Sequence, residues 1–302
     1  MEQIQHKHVE VRGGLKLHVT EIGTEIWYSW RHQMLAVAAS GFRAIAFDFM
    51  GYGLSDQPPQ PDNASFNDLV DDAIGLLNAL GIHKAVFVGK DMGSFPAFQL
   101  GVVHPDRVIA VISLGIPFIL PGPNSLPFHL MPRGFYVVRW QEPGRAEADF
   151  GRKDVKTVVR NIYILFSGSE LPVAGEDQEI MDLVEPSTPL PPWFTEEDLS
   201  VYTNSYENSG FRYALQVPYR TLTKDSGITN PKITAPTLLL MGEKDYVLRL
   251  AGMEDYIRSG KMKEPVLNLE IIFMPEGSHF VQEQFPEEVN QHILTFLKKN
   301  GI

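Results

Sequence analysis

One segment restricts the possible folds more than any other. It is a short apolar run, a turn bounded by two glycines, and a second apolar run at helical spacing. Lys84-Ala-Val-Phe-Val-Gly89 reads as a strand, Gly89-Lys-Asp-Met-Gly-Ser94 as the turn, and Phe95-Pro-Ala-Phe-Gln-Leu100 as the start of a helix. Strand, tight Gly-x-nucleophile-x-Gly turn and helix are the context of a nucleophile elbow. The glycines let the backbone turn sharply without a Cβ clash. The Asp91 side chain is thereby pushed out over the sheet edge, and the Met92 backbone N–H is left free to hold an oxyanion. A carboxylate so placed attacks saturated carbon and becomes an alkyl ester, which water must then break. Acyl substrates, which suit a serine, are not the first expectation. Taken alone, the five-residue motif also fits an ordinary surface turn.

Composition narrows the setting. The 302 residues allow one large domain or two smaller ones, and 44% apolar residues suffice for a sizeable core. No run reaches the ~18–20 apolar residues of a membrane span, and the N-terminus shows no secretory pattern. The chain has no cysteine, which excludes disulfides, thiolate metal sites and a cysteine nucleophile and suits a reducing, cytoplasmic compartment. A formal charge of −11 and a pI near 5.3 argue against nucleic acid or an anionic membrane as partner. A monomer or a homodimer fits these properties.

The pattern along the chain predicts alternating strands and helices. His8 to Arg12 and Leu15 to Thr20 alternate apolar and polar around Gly13-Gly14, an antiparallel hairpin. Phe42-Arg-Ala-Ile-Ala-Phe-Asp48 reads as a buried strand, followed by a glycine-rich loop over 51–56. Residues 66–80 have helical spacing, with Asn63 and Ser65 as candidate caps. Further buried strands are expected over 108–114, 237–241 and 269–274, with a closing amphipathic helix over 289–298. Such alternation implies an α/β fold, a mostly parallel sheet with helices on both faces. Between these strands, residues 118–231 carry helical segments and the proline cluster Pro186-Ser-Thr-Pro-Leu-Pro-Pro192. This stretch reads as a helical lid inserted into a core made of residues 1–117 and 232–302.

An aspartyl ester needs an activated water, and histidine is the base suited to neutral pH. His279 stands between the expected strand over 269–274 and the last helix, where open α/β sheets gather their sites. Asp245, just after the strand ending at Met241, is placed to orient that base, with Glu243 as its nearest competitor. The order nucleophile, acid, histidine is that of enzymes with a nucleophile elbow.

Five segments together carry a resemblance. They are Phe47-Asp-Phe-Met-Gly-Tyr-Gly-Leu-Ser-Asp56, Gly89-Lys-Asp-Met-Gly93, Trp140-Gln-Glu-Pro-Gly144, Gly242-Glu-Lys-Asp245 and Gly277-Ser-His279. In this order the chain resembles the α/β-hydrolase superfamily and, within it, the soluble epoxide hydrolases of the plant type. The resemblance implies that Asp91 attacks an epoxide carbon while two lid tyrosines, Tyr136 and Tyr219, donate to the epoxide oxygen. A phenol suits that task because it stays protonated at pH 7. His279, oriented by Asp245, would then deprotonate a water that hydrolyses the ester. The resemblance further implies fatty-acid or aryl epoxides as substrates, vicinal diols as products, and neither cofactor nor metal.

The chain departs from that pattern at three places. Relatives carry an apolar strand ending in His-Gly-Phe-Pro after the first hairpin, and its backbone supplies a second oxyanion donor. Here Glu21-Ile-Gly-Thr24 runs straight into Glu25-Ile-Trp-Tyr-Ser-Trp30. The junction reads as a clean deletion, or as a chain from which a segment has been omitted, which a break at Thr24–Glu25 would mark. Losing one oxyanion donor costs ~10²–10³ in rate. The larger cost is structural, because the absent strand belongs between those at 42–48 and 84–89, and an unfilled slot exposes unpaired backbone groups. Met50 replaces a common arginine, which should loosen its loop, and Met92 replaces an aromatic, which should soften the pocket wall. Two alternatives remain beside the epoxide hydrolase: a dehalogenase-like enzyme with an Asp nucleophile, which needs halide donors, and a catalytically impaired shell that only binds an apolar ligand.

Overall fold

The computed structural model describes residues 5–21, 26–123, 125–126 and 128–302. The chain opens with strands β1 (Gln5–Arg12) and β2 (Leu15–Glu21), paired antiparallel around Gly13-Gly14 as the alternation predicts. The Thr24–Glu25 junction lies outside the described residues. Helix α1 (Arg31–Ala39) follows, then β3 (Ala46–Phe47) and α2 (Phe66–Ala79). Ser65 opens α2: its backbone N–H donates to the Asp68 carboxylate at 2.8 Å, so Ser65 rather than Asn63 is the cap. Strand β4 (Ala85–Lys90), helix α3 (Ser94–Val103) and strand β5 (Val108–Leu114) complete the first half.

Between β5 and the next strand the described residues form helices and turns, with a single β-bridge from Ile233 to Val266. These include α4 (Tyr136–Trp140), α5 (Arg145–Phe150), α6 (Val155–Phe166), α7 (Glu196–Ser209) and α8 (Arg212–Leu215). Helices α6 and α7 share a small core of Val159, Tyr163, Phe194, Leu199 and Tyr202. The sheet resumes with β6 (Thr237–Gly242). Helix α9 (Met253–Arg258), strand β7 (Leu269–Met274), α10 (Val281–Gln284) and α11 (Pro286–Lys299) close the chain.

Strands β4, β5, β6 and β7 pair in that order, all parallel. Alternate residues of each strand face opposite sides, and the core divides accordingly. Val111, Leu239 and Met241 pack with α2 and α3 through Leu69, Phe95 and Phe98. Ile112, Leu114, Leu238 and Leu240 pack with α11 through Val289, Ile293 and Phe296. The two-sided burial explains why these strands read as continuous apolar runs.

Two expectations are corrected at the other end of the sheet. The segment over 42–48 forms a two-residue strand, half-buried and antiparallel to β2, not a long buried strand. Strand β4, expected to be buried, leaves Val88 40% exposed. The cause is shared. The sheet is divided, with β1-β2-β3 forming one ladder and β4-β5-β6-β7 another. Among the described residues no strand lies between β3 and β4, so each has an edge without a partner there, and a strand without cross-strand bonds does not propagate. Met50 does not loosen its loop, because its side chain is fully buried in the main core. The loop is also tied down by the Gly51 N–H donating to the Asp56 carbonyl at 2.9 Å and the Leu54 N–H to Asp48 at 3.0 Å. Among the described residues no helix is long and apolar enough to cross a membrane.

Candidate active site

The elbow is as tight as its glycines imply. Asp91 has φ of 50°, a left-handed conformation that costs energy in any residue but glycine. A Cβ on Gly89 would meet the Gly93 carbonyl oxygen at 2.5 Å and the Ser94 Cα at 2.7 Å, because α3 starts directly over the end of β4. Gly89→Ala is therefore expected to destabilise the fold by about 1–3 kcal/mol, the usual cost of overpacking. Thermal denaturation checks this, and an unchanged midpoint would mean the turn relaxes freely.

Asp245 and His279 come from the loops after β6 and β7. Gly242, at the end of β6, lies so close to the second loop that a Cβ there would meet the Gly277 carbonyl oxygen at 2.3 Å. This contact lets the two loops pack together. Asp245 accepts from the Val247 N–H at 3.0 Å, which fixes its carboxylate. His279 Nδ1 lies 3.0 and 3.1 Å from the two Asp245 oxygens, and its Nε2 lies 3.7 Å from Asp91 Oδ1. Three side chains spread over 189 positions thus stand in line, acid, imidazole and carboxylate. Glu243, the competitor for the acid position, instead pairs with Arg258 on the surface.

Charge in this site is set by competition between burial and neighbours. Burial alone would push the Asp91 carboxyl up, but the His279 imidazole, Lys90 and the Met92 N–H hold it down to about 2. Asp91 is therefore an ionised nucleophile throughout the neutral range. Among the described residues, Met92 is the backbone donor found at this carboxylate. Burial would likewise lower His279, yet Asp245 and Asp91 outweigh it and raise its pKa above 6.5.

Asp91 opens onto a cavity of about 290 Å³. Its walls are chiefly apolar and aromatic, among them Trp140, Phe150, Ile162, Phe166 and Leu215, and it also contains Met92 and Tyr219. Tyr219 sits in a wide π-helical turn over Gln216–Arg220, with its ring centroid 6.0 Å from that of Tyr136. Tyr136 is placed differently from Tyr219. Its hydroxyl shares a 2.9 Å hydrogen bond with the hydroxyl of Tyr246. Burial raises all three phenols, so each stays protonated.

Tyr246 was not apparent from the sequence. It packs on His279 with centroids 4.8 Å apart, as well as engaging Tyr136. The one available signal was its position directly after Asp245. Among the described residues no group of His, Cys, Asp or Glu side chains is arranged to hold a metal ion.

The alpha/beta hydrolase fold family matches residues 22–286. Epoxide hydrolase 2 of Siraitia grosvenorii is 33% identical, over 99% of this chain and 100% of its own length. The alignment runs over 320 positions, more than the 302 residues here, so that relative has residues this chain lacks. Epoxide hydrolase A of Mycobacterium tuberculosis is 29% identical, over 94% of both chains. Among solved structures, an epoxide hydrolase from Vigna radiata superposes with a TM-score of 0.90 at 32% identity, covering 99% of each chain. A laboratory-evolved variant of a potato epoxide hydrolase gives 0.87 at 31% identity, covering 98% of this chain and 100% of its own. The chain belongs to the α/β-hydrolase fold family and, within it, to the epoxide hydrolases.

Proposed function

We propose that this protein hydrolyses apolar epoxides, of the fatty-acid or aryl kind, to vicinal diols through an ester on Asp91. The observation that supports this most is the line Asp245–His279–Asp91 facing an apolar cavity that contains a protonated phenol. Asp91 attacks one epoxide carbon and the C–O bond breaks. Tyr219 and Tyr136 donate to the departing oxygen. His279 then takes a proton from water and the hydroxide attacks the ester carbonyl, with the Met92 N–H holding the oxyanion. The C–O bond to the alkyl group breaks, the imidazolium returns its proton to that oxygen to give the diol, and the Asp91 carboxyl gives up its proton to restore the phenol. In this scheme residues 118–231 serve as the lid over a core of residues 1–117 and 232–302. We assign the enzyme to the cytoplasm as a monomer or homodimer.

His279 acts as a base only when neutral. Asp245 raises its pKa and still faces it when Asp91 is esterified, so ester hydrolysis is expected to increase with pH as the imidazole loses its proton and to fall on the acid side. Single-turnover hydrolysis measured across pH checks this, and a rate that does not fall on the acid side would contradict the assignment.

One observation favours a second reading. The Trp140 Nε1–H is buried without a partner, and Trp140 lines the cavity, so a donor is free to face a halide. Incubation with a panel of epoxides and haloalkanes, scored by product mass, separates the two. Diols from epoxides without halide release support the first reading, halide release supports the dehalogenase, and neither product supports a binding shell.

A further inference from the structure

Lys90 immediately precedes Asp91 as the last residue of β4, on the same strand face as Val86 and the exposed Val88. Its stem is half-buried on β4, the outer strand of its ladder among the described residues, yet its Nζ is shut off from water. That Nζ has no hydrogen-bond partner and forms no ion pair among the described residues. It stands over the Phe280 ring, 5.3 Å from the centroid, and Lys90 lines the same cavity as Asp91 and His279. Gly115, the residue after β5, marks its place. A methyl group built there would meet Asp245 Oδ2 at 3.1 Å and both His279 Nδ1 and Lys90 Nζ at 3.6 Å. The amine thus lies in the neighbourhood of the Asp245–His279 pair, within about 7 Å of either.

A buried ammonium without a partner is costly, and folds keep such groups where they serve a site. The need here is visible in the surrounding charges. His279 lies between two carboxylates, Asp91 from the elbow and Asp245 from the β6 loop. Both favour the imidazolium, which is useless as a base. Glu283, from α10, is already engaged by Arg31 at 3.0 Å and by the Tyr202 hydroxyl at 2.9 Å. Tyr136 and Tyr246 are protonated phenols. Among the described residues, Lys90 is thus the cation that opposes protonation of His279.

We propose that Lys90 is a positioning residue whose ammonium opposes the carboxylates around His279 and so favours the neutral imidazole, ready to accept a proton from water. This rests on the assignment of His279 as the base. The electrostatic balance agrees: burial lowers the Lys90 pKa from 10.5 against the pull of Asp91, Asp245 and Glu283, and Lys90 in turn lowers that of His279.

The test is an NMR titration of the His279 imidazole in the full-length protein, assigned by comparison with His279→Gln. Lys90→Met and Lys90→Gln are each expected to move the midpoint up by about 1–2 pH units, the effect of removing a nearby charge in a site of intermediate dielectric. Lys90→Arg should move it far less. Ester hydrolysis in the two neutral variants should fall about tenfold further at pH 6 than at pH 9. A midpoint that stays put or moves down in both neutral variants overturns the proposal, even if their rates drop at every pH. Removing an unpaired buried charge should not weaken the fold, so failure of both neutral variants to fold would also overturn it. The imidazole titrates whether or not an epoxide is turned over, so this result is independent of the enzymatic reading.

Discussion

With glutamine in place of His279, an epoxide is expected to load Asp91 once and remain there. The alkylation step needs the carboxylate, which stays ionised near neutral pH, and a phenolic donor. Neither depends on the imidazole as a base. The hydrolytic step does depend on it, because His279 Nε2, 3.7 Å from Asp91 Oδ1, is the group placed to take a proton from water at the ester. Loss of a general base slows such a step by ~10²–10⁴. Intact-protein mass spectrometry should show the enzyme plus one substrate mass, and peptide mapping should place the addition at Asp91. A variant that turns over normally, or that carries no adduct while the wild-type protein makes diol, would remove His279 from this role.

Asp91→Asn should have the largest effect on rate. The amide keeps the shape of the side chain but is neutral and a poor nucleophile, so the covalent route closes. Deleting the nucleophile of a covalent mechanism leaves only what binding and orientation supply, typically with losses of at least ~10⁴ in turnover. The strained φ of 50° at this position is tolerated about as well by asparagine as by aspartate, so the fold should survive. Circular dichroism and a thermal scan confirm the fold, and diol formation is the readout. Retention of more than a few per cent of the activity would mean that another group attacks the epoxide.

The two variants separate the steps. Asp91→Asn should carry no adduct and form no diol, whereas His279→Gln should carry a full adduct and form little diol. A protein that only binds its ligand would show no adduct in either case.

Much of the site was legible because its signals are local. Glycines at 89 and 93 around Asp91, between a strand pattern and a helix pattern, dictate the elbow through backbone sterics alone. Asp245 and His279 could be named because each follows a buried strand, and parallel strands carry their loops to one edge of the sheet. Ser65 was visible as a cap because its partner, Asp68, is three residues away.

What stayed hidden depends on contacts that no local pattern encodes. Residues 42–48 have the composition of a long strand, but only Ala46–Phe47 form one, because strand length is set by the hydrogen-bonding edges that neighbours offer. The same absence leaves Val88 partly exposed and divides the sheet. Tyr246 meets Tyr136 across 110 positions, a pairing produced by packing. Lys90 shows the division most plainly. In the sequence it is a polar residue in a turn, whereas the fold shuts its amine away from water beside Asp245 and His279. The residue types and their order came from the sequence, through steric and periodic rules acting over a few positions. The environment of each group, and hence its charge and reactivity, was decided only when the chain brought distant surfaces together and excluded water from between them.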